Sequence, residues 1–345
     1  MNNQQDPVMA RLDRFLVSID WECNFPLSFI NMLPRDFSDH APLVLDLGLN
    51  RVRVNKPFRF ELSWFLRGDL KEVVSKVWST NFVGRTILDK WQNRGRKLRS
   101  MLKGWDINYQ AFYKKQKVIL SAAIDEIDKE SESIGLTAEK YFLRKSIEAN
   151  LNVIRKEEQV KWFQRAKSKD LLQGDSLTPY FMAKASGRKS KSRITSLLQD
   201  GGLIVGEGDI LKYATSYYKN LFGPVVNNTS ISLDVVLENV LSESDRIKLE
   251  KPFSLEEIEF AVFNMKHNKS PGPDGLPIEF YQYFWHLVRD DLFALFESFY
   301  ERSLDLSRFN YGLITLLPKC VDASKIQQYR PICLLNVIFK FFLLR

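Results

Sequence analysis

Three cysteines and three histidines in 345 residues leave little for thiol or imidazole chemistry. Cys23, Cys320 and Cys333 are too scattered for a disulfide framework or a Cys-x-x-Cys zinc site, so they are expected to be reduced thiols in the core. With only His40, His267 and His286 to draw on, a histidine metal site is not expected, and any metal would have to sit on carboxylates. No apolar run reaches the length of a membrane-spanning helix, and MNNQQDPVMARLDR has no hydrophobic core of the signal-peptide kind. The expectation is an intracellular protein with no membrane partner.

What the chain does have is positive charge and helix-forming sequence. The formal net charge is +8, which favours a polyanionic partner. Between Arg155 and Arg193 there are eleven Lys/Arg against four acids, a net of +7, so one short segment carries nearly the whole excess. Phe15 to Val17 and Leu43 to Leu47 read as short buried strands. From about Trp64 to Leu172 the pattern becomes long helices free of proline, with Gly104 and Gly135 as the expected breaks. RITSLLQDGGLIV reads as a β-hairpin turning at Asp200-Gly201-Gly202, followed by a helix through Tyr217 to Phe222 and a loop, PVVNNTS. Ser254-Leu-Glu-Glu257 is a capping box opening a helix to about Asn264. Two aromatic-rich helices are expected between about Pro277 and Ser303, and strands at Leu313 to Leu317 and Ile332 to Leu335.

NMKHNKSPGPDGLPIEFYQYFW is the most specific stretch. Pro271, Gly272, Pro273 and Gly275 impose turn geometry, Asp274 can cap the turn, and Lys266 and Lys269 place positive charge beside it. The stretch resembles the first conserved block of reverse transcriptases of LINE-type (non-LTR) retrotransposons, which implies a template-contact loop. LITLLPKCVDASKIQQYRPICLLNVIFK resembles the second block, the fingers hairpin. That resemblance implies that Lys319 and Arg330 grip the triphosphate of an incoming nucleotide, a charge-assisted task suited to the planar guanidinium. Upstream, RLDRFLVS and SDHAPLVLDL resemble the C-terminal end of an endonuclease/exonuclease/phosphatase domain. By that resemblance His40 contacts the scissile phosphate, Asp39 assists the nucleophile or metal, and Asp13 orients His40.

Between the two, EEQVKWFQRAKSKDLLQGDSLTPYFMAKASGRKSKSR resembles the basic segment preceding the reverse transcriptase in plant LINE elements. Pro179 departs from that pattern and suits a helix only in its first turn. Lys161, Arg165, Lys167, Lys169, Arg188, Lys189, Lys191 and Arg193 are the candidate phosphate contacts; Trp162, Phe163 and Phe181 offer stacking or core packing, with Trp162 and Phe163 read mainly as core.

The fold expected is α+β and predominantly helical. Residues 1–50 would be the nuclease remnant, 51–193 a basic helical linker, and 194–345 the front of a reverse transcriptase. The palm carboxylates that bind two metal ions in this family have no counterpart here, since Asp290-Asp291 lacks a strand-turn-strand setting. Neither a small-molecule cofactor nor a metal site is expected, the Mg²⁺ site of the intact family being incomplete. The expected partner is RNA or DNA, with catalysis by this polypeptide alone not expected. The rival readings are a non-enzymatic nucleic-acid-binding module and a helical protein-interaction fragment.

Overall fold

The computed structural model describes residues 15–25, 28–32, 43–47, 57–167, 178–199, 202–223, 242–320 and 323–343. In chain order the helices are α1 (Ile19–Asn24), α2 (Leu70–Trp78), α3 (Ile87–Ile134), α4 (Ala138–Ala166), α5 (Thr178–Lys191), α6 (Glu207–Phe222), α7 (Glu243–Glu250), α8 (Leu255–Asn264), α9 (Ile278–Tyr283), α10 (Trp285–Tyr300) and α11 (Val337–Phe341). The strands are β1 (Phe29–Met32), β2 (Leu43–Asp46), β3 (Ser196–Gln199), β4 (Gly202–Val205), β5 (Gly312–Pro318) and β6 (Tyr329–Leu335), in three two-stranded sheets. A predominantly helical α+β chain is what the sequence led us to expect.

The chain forms two compact units, neither a single run of sequence. The larger comprises residues 56–164, 218–317 and 330–345. Its core is built around α9 and α10, where Phe280, Phe284, Val288, Leu292 and Leu295 are fully buried. Leu70, Val74 and Val77 of α2, Leu88, Trp91, Leu98 and Leu102 of α3, and Ile258 and Val262 of α8 complete it with Val337, Ile338 and Phe341 of α11. The α3 residues recur at three- and four-residue spacing, so one stripe of a long helix faces the core. Thr86 and Asp89 form a reciprocal capping box at its start. Residues 58–105, read from sequence as the beginning of a linker, therefore share one core with residues 253–342.

Beyond that core α3 continues and α4 folds back along it. Arg144 bonds Asp128 at 2.7 Å and Lys117 bonds Glu158 at 2.6 Å, an antiparallel pairing of the two helices. Gly135 ends α3 at φ +84°, as expected of a glycine cap. Gly104 does not break the helix. It lies exposed inside α3, and a mid-helix glycine costs only about 1 kcal/mol relative to alanine, too little to stop a helix whose neighbours Leu102 and Trp105 are packed.

A buried polar cluster ties the pair to the chain before α2. Arg67 donates from Nε to Glu157 Oε1 at 2.8 Å and pairs through Nη1 with Asp106 Oδ1 at 3.0 Å. Its guanidinium carbon lies 4.7 Å from the ring centre of Trp105 and 4.5 Å from that of Tyr109. Burial alone would lower the Arg67 pKa, but Glu157 and Asp106 hold it above its usual range. Burial, with Glu157 beside it, pushes Tyr113 up to about 12.

The smaller unit comprises residues 1–55, 165–217 and 318–329. Phe15 to Val17 are not a strand, because no strand among the described residues pairs with them and Ser18 caps α1 by accepting from Trp21 N–H at 3.1 Å. Strand β2 pairs antiparallel with β1, Phe29 opposite Asp46 and Met32 opposite Leu43, so it has a partner the sequence had not suggested. The β3–β4 hairpin pairs Ser196 with Val205 and Gln199 with Gly202. Pro179 sits in the first turn of α5, where its missing N–H does no harm.

Candidate nucleic-acid interface

In the larger unit the segment after α8 is held rigidly. Gly275 N–H donates to Gly272 O at 3.0 Å, closing the turn, and Phe60 N–H donates to Gly275 O at 2.9 Å. Gly275 has φ +72°, and a Cβ there would collide with Phe58 O. A Cβ on Gly272 would strike the backbone of Leu335 and Asn336. Both glycines are thus required by close backbone approach as well as by turn geometry. Asp274 N–H donates to Asn336 Oδ1 at 3.0 Å, while Asp274 Oδ1 accepts from Leu276 N–H at 3.1 Å. The expected side-chain cap is present, and Asn336 additionally fastens the loop to the end of β6. Asn268 N–H donates to Glu279 Oε1 at 2.6 Å, which anchors the preceding segment to α9. Lys266 and Lys269 flank that anchor and are exposed.

Burial disfavours the charged Asp274 carboxylate more than the Leu276 N–H, Arg99 and Lys340 favour it, and its pKa is pushed up to about 6 from 3.8. The folded state therefore binds the proton more tightly than the unfolded chain. Stability tied to this group is present at low pH and is lost as pH rises from the unfolded value through the folded one. Asp274→Asn keeps an acceptor for Leu276 N–H and has no charge to desolvate. It should raise stability at pH 8 by about 1–3 kcal/mol and leave it nearly unchanged near pH 4. Urea unfolding at the two pH values measures this, and equal shifts at both would refute it.

The two basic residues of the β5–β6 hairpin are placed differently. Lys319 belongs to the smaller unit and Arg330 to the larger. Lys319 Nζ donates to Gln327 O at 2.7 Å and its N–H to Gln328 O at 2.8 Å, so it is stitched across the loop that carries it. Tyr329 Oη donates to Ala323 O at 2.7 Å and Ile326 is fully buried. Leu198 N–H donates to Ser324 O at 2.7 Å, joining the loop to β3. Arg330 is exposed on β6.

Of the basic segment, Lys161 lies in the larger unit, half-buried and 3.4 Å from Glu61. Arg165 and Lys167 stand at the end of α4, and Arg188 Nη1 donates to Ala166 O at 2.9 Å, so a cation binds a carbonyl of that helix end. Arg188 is therefore engaged within the fold as well as a candidate phosphate contact. Lys189 and Lys191 are carried by α5, with Arg193 two residues beyond it. Phe181 is buried, whereas Trp162 and Phe163 are half-buried. Asp13, Asp39, His40 and Lys169 lie outside the described residues.

A further expectation is overturned. Cys320 and Cys333 are exposed thiols, not core residues, because one sits in the hairpin loop and the other on an outward face of β6. Asp290-Asp291 lies inside α10, and Asp291 accepts from Trp78 Nε1 at 2.8 Å and pairs with Arg94. Among the described residues no group of three or more His, Cys, Asp or Glu could hold a metal ion, and no helix is long and apolar enough to cross a membrane. Sequence reading missed Asn336 and the Arg67 cluster; a polar residue ending the apolar CLL run was the only available hint of the former.

No protein-family model matches the chain. It is 35% identical over 185 residues to the transposon TX1 uncharacterized 149 kDa protein of Xenopus laevis, a match covering 52% of this chain and 14% of that protein. It is 30% identical over 106 residues to the retrovirus-related Pol polyprotein from type-1 retrotransposable element R1 of Bradysia coprophila, covering 29% of this chain and 11% of that one. The chain thus spans a small fraction of the relatives it matches. Both are named as products of transposable elements, which supports a retrotransposon origin for this chain.

Proposed function

We propose that the chain is part of a non-LTR retrotransposon polyprotein and that its role is to hold nucleic acid. In this reading residues 194–345 form the front of a reverse transcriptase. The PGPDG loop serves the template, Lys319 and Arg330 each keep the phosphate-binding role that the family resemblance implies, and the basic α5 region grips phosphates. Asp13, Asp39 and His40 would descend from a nuclease site. The observation that carries the reading is the PGPDG loop itself. It is held on two sides by backbone contacts that only glycine permits, and it is tied through Asn336 to the hairpin bearing Arg330. A loop preset in this way offers a fixed surface without an ordering cost on binding.

The 345 residues contain no Tyr-x-Asp-Asp sequence, so this polypeptide is proposed to bind without turnover. Titration with labelled RNA and duplex DNA between about 50 and 200 mM salt should give affinities that fall steeply, by about −0.9 in log–log slope per duplex phosphate contacted. Primer extension on an RNA template and nicking of plasmid should both be absent in Mg²⁺. Salt-independent binding, or extension abolished by Arg330→Ala, would refute the proposal. The protein-interaction reading draws on Tyr141, Phe142 and Leu143, exposed near the start of α4, and predicts no salt slope.

A further inference from the structure

Inside the larger unit, a cleft of about 340 Å³ opens between α3, the PGPDG loop and the start of β5. Its volume is at the small end of the roughly 300–1,000 Å³ common for ligand clefts. We infer that it seats one unpaired nucleotide of a single strand, the phosphate on Arg96 and Arg99 and the base on the ring of Tyr311. The inference rests on the nucleic-acid reading above and adds to it a site that the sequence motifs did not indicate.

The charges around the cleft are unevenly compensated. Arg94 pairs with Asp291, and Arg308 pairs with Asp89 at 2.8 Å. Arg99 is half-buried and makes no hydrogen bond or salt bridge among the described residues, and Arg96 bonds only the neutral Asn93, at 3.0 Å. Arg99 acts electrostatically on Asp274 but bonds no carboxylate among the described residues, so its N–H groups can still meet an anion entering the cleft. Arg96 and Arg99 lie three residues apart, on one face of α3. Gly95 lies on the same face, and a Cβ there would touch the Arg99 guanidinium at 3.5 Å. Asp274 is the one acid lining the cleft, and its Oδ1 is already engaged by Leu276 N–H.

The apolar part of the cleft suits a ring. Its floor holds Trp91 and Tyr281, stacked with centroids 6.5 Å apart, and Leu276 and Ile338. At its mouth Tyr311 is 68% exposed, a high value for a tyrosine whose ring meets no other aromatic among the described residues. An exposed aromatic beside guanidinium groups that bond no carboxylate is the arrangement that binds single strands with little sequence preference. A paired base cannot enter a cleft one nucleotide wide, so duplex should gain nothing from it.

The test uses the 345-residue chain, fluorescein-labelled oligo(U) of about a dozen nucleotides and a duplex of equal length, read by anisotropy. Tyr311→Leu should weaken oligo(U) binding about 5- to 100-fold, the range of losing one stacked base, and leave duplex binding within about twofold. Arg99→Gln should act in the same direction, whereas Tyr311→Phe should bind as the parent does. An oligonucleotide carrying 5-iodouracil should crosslink at Tyr311. If the parent binds oligo(U) while Tyr311→Leu and Arg99→Gln bind it equally well, or crosslinks map elsewhere, the cleft assignment is wrong and the broader reading survives. If the parent binds neither strand nor duplex, both fall together.

Discussion

Arg67→Ala should destabilise the larger unit by about 3–5 kcal/mol, the cost of leaving buried charge without its partner. Glu157 and Asp106 are 6% and 8% exposed, and both direct carboxylate oxygens at Arg67. Asp106 would keep the Trp64 Nε1–H donor at 2.9 Å, but Glu157 would lose both of its Arg67 bonds. Loss of the cation–π contacts with Trp105 and Tyr109 adds to the effect. The triple change Arg67→Met, Asp106→Asn and Glu157→Gln removes every charge while keeping volume, so most of the loss should be recovered. Urea unfolding followed by circular dichroism measures both. A single-variant cost below about 1 kcal/mol would show that water already satisfies the cluster.

The largest effect on binding is expected from the cations around α5. Changing Arg188, Lys189, Lys191 and Arg193 to glutamine removes four charges while retaining polar, helix-tolerant side chains. If each meets a phosphate, the log–log salt slope on duplex DNA should flatten by up to about 4, and RNA and DNA of every sequence should be weakened alike. The bond from Arg188 to Ala166 O lowers that ceiling, because a guanidinium engaged at a helix end gives up part of its contact with a ligand. Glutamine retains an N–H donor for that carbonyl, which separates loss of charge from loss of the helix contact. A folded variant with the parent's affinity and slope would show that the cluster is a solvated surface and that binding, if any, lies elsewhere.

Local structure was legible wherever a local cause set it. The Ser254 capping box opens α8 as expected, and both reciprocal bonds form, because its partners lie three residues apart. The β5 and β6 strands, the helix ending at Phe222 and the glycine stop at Gly135 follow from apolar runs and turn residues in the same way. Gly104 misled because propensity is weak beside the packing of Leu102 and Trp105. Phe15 to Val17 misled because a strand needs a partner, and whether one arrives is not written in the strand.

Sequence by itself determined the helical character, the basic segment and the turn chemistry of Pro271 to Gly275, since each depends on neighbours along the chain. Tertiary structure alone decided that residues 58–105 share a core with residues 253–342. It also decided that Asn336 holds Asp274, that Arg67 meets Glu157, and that Arg99 acts on Asp274 without bonding it. Those outcomes join residues tens to hundreds of positions apart. Nothing in a local pattern encodes which distant carboxylate or carbonyl arrives beside a side chain, because that is set only when the apolar faces of α2, α3, α8 and α10 close on one another.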